Sequence, residues 1–217
     1  MKEAERRNIN ERVIRQLAWD YSCDPDDILR RDNIFAVKKL NENRRKFNSD
    51  NYLIKVLSIN GKLVFCCDES VIDEVKETFK ETNGAWFGQY PNIYKLNEIA
   101  KKHDHYIADG HNFFLPGNPD YLDENTIREM VEKFDVRRHI EDEIEVFRND
   151  QRFTNALSFR KEAPDMVCFT ASLDGEIIGM SGVSADCDTM WQIGIDVTEK
   201  SRGRNIGPLL TILIRDE

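Results

Sequence analysis

The residues best suited to chemistry lie near the end of the chain. Trp191-Gln192-Ile193-Gly194-Ile195-Asp196-Val197 leads through Thr198-Glu199-Lys200-Ser201 into Arg202-Gly203-Arg204-Asn205-Ile206-Gly207-Pro208. The first stretch reads as a strand, and the last opens an apolar helix with Pro208 in its first turn. A strand that feeds a loop of small and basic residues at a helix start is an anion seat. First-turn N–H groups have no partner inside the helix, and the helix dipole favours negative charge there. The ligand expected is a phosphate group. On the strand, Trp191, Ile193, Ile195 and Val197 share one face, and Gln192, Gly194 and Asp196 the other. Asp196, Gln192 and Glu199, near the reactive end, are the candidates for catalytic work. As residue types they serve equally well as structural carboxylates and amide.

Positioning these residues requires a sheet. Met166 to Ser172 and Glu176 to Val183 read as strands joined at Asp174-Gly175, a hairpin signal. Asp186-Cys187-Asp188-Thr189 is a polar turn before a third strand, Met190 to Val197. Upstream, Glu141 to Leu157 reads as helix with Ile144, Phe147, Phe153 and Leu157 inward, and Arg137-Arg138-His139 as charge punctuation at its start. Thr126 to Phe134 fits either a strand or a helix. Pro116-Gly117-Asn118-Pro119-Asp120 is the best linker, since two prolines and a glycine continue neither element. The expected domains are therefore residues 1–118 and 119–217.

The first domain reads as a mixed α+β unit. Residues 2–22 carry Ile9, Val13, Ile14, Leu17 and Ala18 at helical spacing. Asp24-Pro25 marks the start of a short helix ending near Leu29, and Ile34 to Leu40 a short strand. Tyr52 to Ser58, Asn60-Gly61 and Leu63 to Cys67 form the clearest hairpin, because Asn-Gly supplies two positive backbone angles. Val71, Ile72, Val75 and Phe79 predict an amphipathic helix closed by Asn83-Gly84. Ile93 to Lys102 predicts another helix, and Tyr106 to Leu115 one more strand.

Residues 124–217 resemble the GNAT N-acetyltransferases. That family has a strand ending in an aliphatic-acid-valine pattern, a four-residue gap, then Arg/Gln-x-x-Gly-x-Gly/Ala opening a helix. The counterparts here are Ile195-Asp196-Val197, Thr198 to Ser201, and Arg202-Gly203-Arg204-Asn205-Ile206-Gly207. The helix from Glu141, the hairpin at Asp174-Gly175 and Ile177 to Gly182 also fall where that fold needs them. The resemblance implies an α+β chain whose second domain is a GNAT-like mixed sheet flanked by helices. It implies that Arg202, Gly203, Arg204, Asn205, Ile206 and Gly207 cradle the pyrophosphate of acetyl-CoA. It also implies that backbone groups of Ile195, Asp196 and Val197 pair with the pantetheine arm. Two departures stand out. Asn205 replaces the usual first glycine, which asparagine tolerates because it enters the left-handed region more readily than most residues. The sequence also stops at Ile214-Arg215-Asp216-Glu217, before the strand and helix that complete the family's cleft, so the sheet is expected to be incomplete. The general acid is expected beyond Glu217.

The implied activity is transfer of an acetyl group from acetyl-CoA to an amine, either a small molecule or a peptide. The alternative is a non-catalytic coenzyme-sensing or protein-interaction module on the same fold. A nucleotide-binding protein ranks last, because no Gly-Lys-Ser/Thr is present to hold a metal-bound triphosphate. The net charge of -9 disfavours nucleic acid as a partner. No apolar run approaches the ~20 residues of a membrane span, and the charged start is no signal peptide, so a cytoplasmic protein is expected. An unfinished sheet edge invites a homodimer. Cys23, Cys66, Cys67, Cys168 and Cys187 lack CxxC spacing and suit a reducing compartment, with Cys66 and Cys67 on opposite strand faces. His103, Asp104, His105 and His111 offer no diagnostic metal spacing and read as surface groups. Asp186 and Asp188 could attract a cation but read first as a solvated turn. Trp86, Phe87, Phe113 and Phe114 are expected in the core or at a domain contact.

Overall fold

The computed structural model describes residues 3–46, 50–110, 112–115 and 121–217, which form two compact units, 3–114 and 115–217. His111 and the linker expected at residues 116–120 lie outside the described residues. The fold class is α+β, with a sheet in each unit. Among the described residues no helix is long and apolar enough to cross a membrane.

In the first unit, helices α1 (Glu3–Asp20) and α2 (Pro25–Leu29) precede strands β1 (Ile34–Val37), β2 (Ile54–Ile59) and β3 (Lys62–Cys67). Helices α3 (Ile72–Phe79) and α4 (Tyr90–Lys101) follow. The sheet order is β1-β3-β2, with β1 parallel and β2 antiparallel to the central strand. Asn60 and Gly61 both adopt positive φ, at 50° and 79°, so the Asn-Gly pair makes the tight turn its chemistry allows. Leu63, Phe65 and Cys67 face a core filled by Val75 and Phe79 of α3 and Leu96 and Ile99 of α4. Cys66 points the other way, bonding through its thiol to Ser22 Oγ at 3.4 Å. All five cysteines are free.

Three expectations fail in this unit. Asn83-Gly84 does not close α3, which ends at Phe79. Instead the Asn83 side chain caps a separate 3-10 turn by accepting from Ala85 N–H at 2.9 Å. The Gly84 backbone lies so close to Lys62 that a Cβ there would sit 2.3 Å from the Lys62 carbonyl oxygen, which is what the glycine is for. No strand forms among the described residues of 106–115. Of the four aromatics expected in the core or at a domain contact, Phe87 is buried, and Trp86, Phe113 and Phe114 are exposed, so the core placement fails for those three.

The second unit runs α5 (Glu124–Lys133), β4 (Arg137–Ile140), α6 (Asp142–Glu145), β5 (Asp165–Leu173), β6 (Glu176–Ser184), β7 (Gln192–Val197) and α7 (Ile206–Arg215). Among the described residues its sheet is antiparallel throughout, in the order β4-β5-β6-β7, and is not the mixed sheet that the resemblance implies. Asp174 and Gly175 both take positive φ in the β5–β6 turn. One apolar cluster joins α5, α7 and the sheet through Phe134, Ala171, Ile206, Leu209 and Leu210. A second, on Cys168 and Met180, is covered by Ile144, Phe153, Ala156 and Leu157.

Residues 124–133, open between strand and helix in sequence, are helical, with Asp123 capping Thr126 N–H at 2.9 Å. Arg137–Ile140 is no helix punctuation but the edge strand β4. The helix expected from Glu141 to Leu157 is broken into α6 and a 3-10 turn at Gln151–Phe153. Two causes are visible. The Asp150 carboxylate accepts from Arg152 N–H at 3.1 Å and starts the new turn. Downstream, the N–H groups of Asn155 and Ala156 bond to Asp196, far along the chain, instead of to a helical carbonyl.

Candidate anion seat and the strand beside it

β7 ends at Val197 and passes through a 3-10 turn, Glu199–Ser201, into the loop that opens α7. Gly203 sits at φ 75° and Asn205 at φ 60°, ψ 18°, so the chain turns twice through the left-handed region to aim the helix. Asparagine serves here because its short polar side chain visits that region at little cost. The first α7 bond is donated by Leu209 N–H to Asn205 O at 3.0 Å. The N–H groups of Ile206 and Gly207 donate none of the turn and loop backbone bonds among the described residues, and first-turn amides lack partners inside the helix. Among the described residues, Gly203, Arg204 and Asn205 donate none of the turn and loop backbone bonds. Arg202 and Arg204 are exposed and form no ion pair among the described residues. Two free cations beside unpaired amides give this corner a positive character within a chain of net charge -9.

Gly207 is not needed for packing: a Cβ there would meet only Val197 Cγ2, at 3.8 Å, an ordinary contact. Gly179 is different. A Cβ on it would lie 2.7 Å from Ile206 Cγ2 and 3.1 Å from Leu210 Cδ1, so its bareness lets α7 press onto β6. Thr211 Oγ donates to Gly207 O at 2.8 Å on the outer side of the helix.

β7 pairs with β6 along one edge, and no strand among the described residues covers the other. Thr198 N–H bonds to Ile178 O at 2.9 Å. Since N–H direction alternates along an antiparallel strand, the backbones of Asp196 and Gly194 also face β6. Those of Val197, Ile195 and Ile193 face the open edge. Of the three residues expected to offer backbone groups, Ile195 and Val197 thus turn theirs to the open edge, and Asp196 turns its own to β6.

The catalytic candidates are not brought together. Gln192 begins β7 and Glu199 lies beyond its end, with the strand alone spanning about 16 Å. Both are exposed. Asp196 lies between them, half-buried, with its carboxylate engaged. It accepts from Asn155 N–H at 2.8 Å, Ala156 N–H at 2.9 Å and Asn155 Nδ2 at 2.6 Å. Beside it the sheet is bare, because Gly194 and Gly182 are direct cross-strand partners. A Cβ on Gly194 would lie 1.7 Å from Asn155 O, and one on Gly182 2.2 Å from Ala156 O. The 155–156 segment therefore sits in a two-glycine groove. Sequence reasoning missed Asn155 and Ala156; the available signal was a glycine in each of two successive strands.

Next to this segment lies an open cavity of about 460 Å³, lined by Arg148, Asp150, Phe153, Leu157 and Phe159 among others. Phe159 holds a positive φ of 51°, unusual for so bulky a residue. The Asp165 carboxylate accepts its N–H at 2.7 Å, and the Arg148 guanidinium lies 4.5 Å from its ring centroid. Burial holds the Asp165 carboxyl above its ordinary value, with the Phe159 and Ser158 N–H bonds opposing.

His139 of β4 faces the same side of the sheet, 2.9 Å from Thr170 Oγ and edge-on to the Phe147 ring. Burial holds its imidazole below the ordinary 6.5, while Glu143 pulls the other way. The unfolded chain then binds a proton near pH 6.5 that the folded chain refuses until lower pH. This contribution to stability is full above pH 6.5 and is lost as pH falls through the folded value. Urea midpoints measured across that window are expected to fall with pH, and His139→Gln, which keeps a partner for Thr170, to flatten the fall.

His103 and His105 sit in the turn after α4, with His105 Nδ1 2.6 Å from His103 O. Among the described residues no three His, Cys, Asp or Glu side chains converge on a metal position. In comparisons with known protein families, curated proteins and solved structures, the chain matches none of them.

Proposed function

We propose that residues 115–217 form the coenzyme-binding part of an acetyl-CoA-dependent N-acetyltransferase of the GNAT type. The observation that carries this reading is the junction of β7 and α7. An open strand edge, with the backbones of Ile195 and Val197 turned outward, leads directly into a double left-handed turn whose free amides and two exposed arginines suit a pyrophosphate. One contiguous surface thus offers backbone partners for an amide-bearing arm and a seat for its phosphates. In the reaction, the acceptor nitrogen attacks the thioester carbonyl, the C–S bond breaks, and the products are an acetamide and the coenzyme thiol. The acceptor is an amine of a small molecule or a peptide.

Calorimetric titration of acetyl-CoA and of desulfo-CoA into the full chain tests this directly. Saturable binding of both, weakened by salt as phosphate contacts require, supports the reading; no heat with either ligand removes it.

One observation favours a second reading, a coenzyme-sensing module without catalysis. The central acid candidate, Asp196, already spends its carboxylate on three N–H donors of the protein itself. Binding of acetyl-CoA with no acetylation of spermidine, glucosamine or glycylglycine is the result that this reading expects.

A further inference from the structure

We infer that Asp196 is a positioning residue, whose carboxylate latches the 153–157 segment across β7 and fixes the wall between that strand and the 148–159 cavity. The inference concerns the acceptor side of the proposed site and, for its catalytic meaning, rests on that proposed function. Its physical content stands without it.

The latch has two halves that arise from different residues. Asp196 supplies charge-assisted acceptors for Asn155 N–H, Ala156 N–H and the Asn155 amide, at 2.6–2.9 Å. Gly194 and Gly182 supply the space, since a methyl on either would strike the backbone of residues 155 and 156. Neither half explains itself. A strand interior loses stability with glycine, and two facing glycines form a gap that only a close backbone approach fills. A carboxylate on a strand face accepts two consecutive backbone N–H groups only where the partner segment has given up its own helical bonds. Both conditions meet at Asn155-Ala156.

The latched segment carries the cavity wall. Phe153 and Leu157 bracket Asn155-Ala156 and pack into the cluster over Cys168 and Met180, while also lining the cavity. Asp165 anchors the far end through Phe159 N–H. The wall is thus tied at Asp196 and at Asp165, two carboxylates on different strands, with its side chains aimed between. An acceptor seated in this cavity would rest on a wall whose position Asp196 sets, without touching Asp196 itself.

The deciding experiment compares Asp196→Ala, Asp196→Asn and Gly194→Ala in the full chain by hydrogen exchange, with acetyl-CoA titration and acetyl transfer alongside. Asp196→Ala removes every acceptor, and exchange across residues 153–157 is expected to rise roughly ten- to a hundredfold, while the β5–β6 hairpin stays protected. Asp196→Asn keeps an oxygen for the two backbone N–H groups, and a turned Asn155 amide can accept its N–H. Its exchange is expected to stay within about threefold of wild type. Gly194→Ala attacks the latch from the other side and is expected to loosen the same residues, which keeps the test alive should Asp196→Ala fail to fold. With acetyl-CoA and the best acceptor among spermidine, glucosamine and glycylglycine, Asp196→Ala should raise the acceptor KM about tenfold and leave the acetyl-CoA KM unchanged; Asp196→Asn should restore both. A merely destabilised protein would lose active fraction without that split. Unchanged exchange in both Asp196→Ala and Gly194→Ala overturns the latch. An Asp196→Asn protein that keeps its protection yet loses about a hundredfold in kcat overturns the positioning role, since the carboxylate would then be the base. If wild type neither binds acetyl-CoA nor acetylates an amine, the proposed function fails, and exchange alone decides the latch.

Discussion

Gly207→Trp is expected to abolish binding of acetyl-CoA while leaving α7 folded. The fold has no use for a bare residue at this position: an added Cβ meets only Val197 Cγ2, at 3.8 Å, and glycine is among the poorest helix formers. Under the proposed function, that space takes the phosphates of the coenzyme. Among the described residues, the N–H of Gly207 and that of Ile206 before it have no backbone partner at the helix start, next to the left-handed Asn205. An indole at 207 would cover these amides and bar a phosphate from them. Hydrogen bonds to a charged acceptor contribute about 1.5–3 kcal/mol each, so losing two weakens binding by about a hundredfold or more. Calorimetric titration checks the affinity, and helical circular dichroism checks the fold. Gly207→Ala serves as the companion variant, predicted to stabilise α7 and weaken binding less. Wild-type affinity in the Trp variant would show that the seat lies elsewhere.

The largest loss of stability is expected from Phe65→Ala. Phe65 is fully buried on β3, the central strand of the first sheet. Its ring stacks on Phe35 at 5.1 Å and Phe79 at 5.3 Å and meets Phe87 edge-on at 5.7 Å. Removing it empties the point where β1, α3 and the 3-10 turn meet, and the neighbours are themselves rigid rings that collapse poorly into a void. Truncating a buried Phe costs about 3–5 kcal/mol, a large share of the ~5–15 kcal/mol that holds a domain folded. A urea titration should show the first unit unfolding at a much lower midpoint. A change below about 1 kcal/mol would mean that the aromatic cluster is not what holds the sheet to α3.

What was legible in sequence was local. Asn60-Gly61 and Asp174-Gly175 specify tight turns because residues that accept positive φ sit between apolar runs, and both hairpins formed there. Asp24-Pro25 gave the start of α2 and Pro208 the first turn of α7 for the same reason: a fixed φ or a capping side chain acts within a few residues. The strand–loop–helix run from Gln192 to Arg215 was readable as a whole, since its strand pattern, small loop and apolar helix each carry their own period. Periodicity failed wherever a distant partner decided. The spacing of Ile144, Phe147, Phe153 and Leu157 suits one helix, and the same residues do bury themselves, but in two short turns. Arg137 to Ile140, too charged to announce a strand, became one because β5 offered an edge. The run at 106–115, apolar enough for a strand, made none among its described residues.

The sequence alone determined the two hairpins, the starts of α2 and α7 and the placement of a basic, glycine-bearing loop at the head of an apolar helix. Each depends on backbone angles and side-chain periods that neighbouring residues fix. Only the tertiary structure shows what the Asp196 carboxylate bonds to. As a residue type it suits a base, a coenzyme contact or a structural carboxylate, and its partners are Asn155 and Ala156, whose chain crosses two facing glycines on strands that pair only once the sheet has formed. Contacts of that kind carry no local signature, because loop closure brings together residues whose individual preferences say nothing of one another.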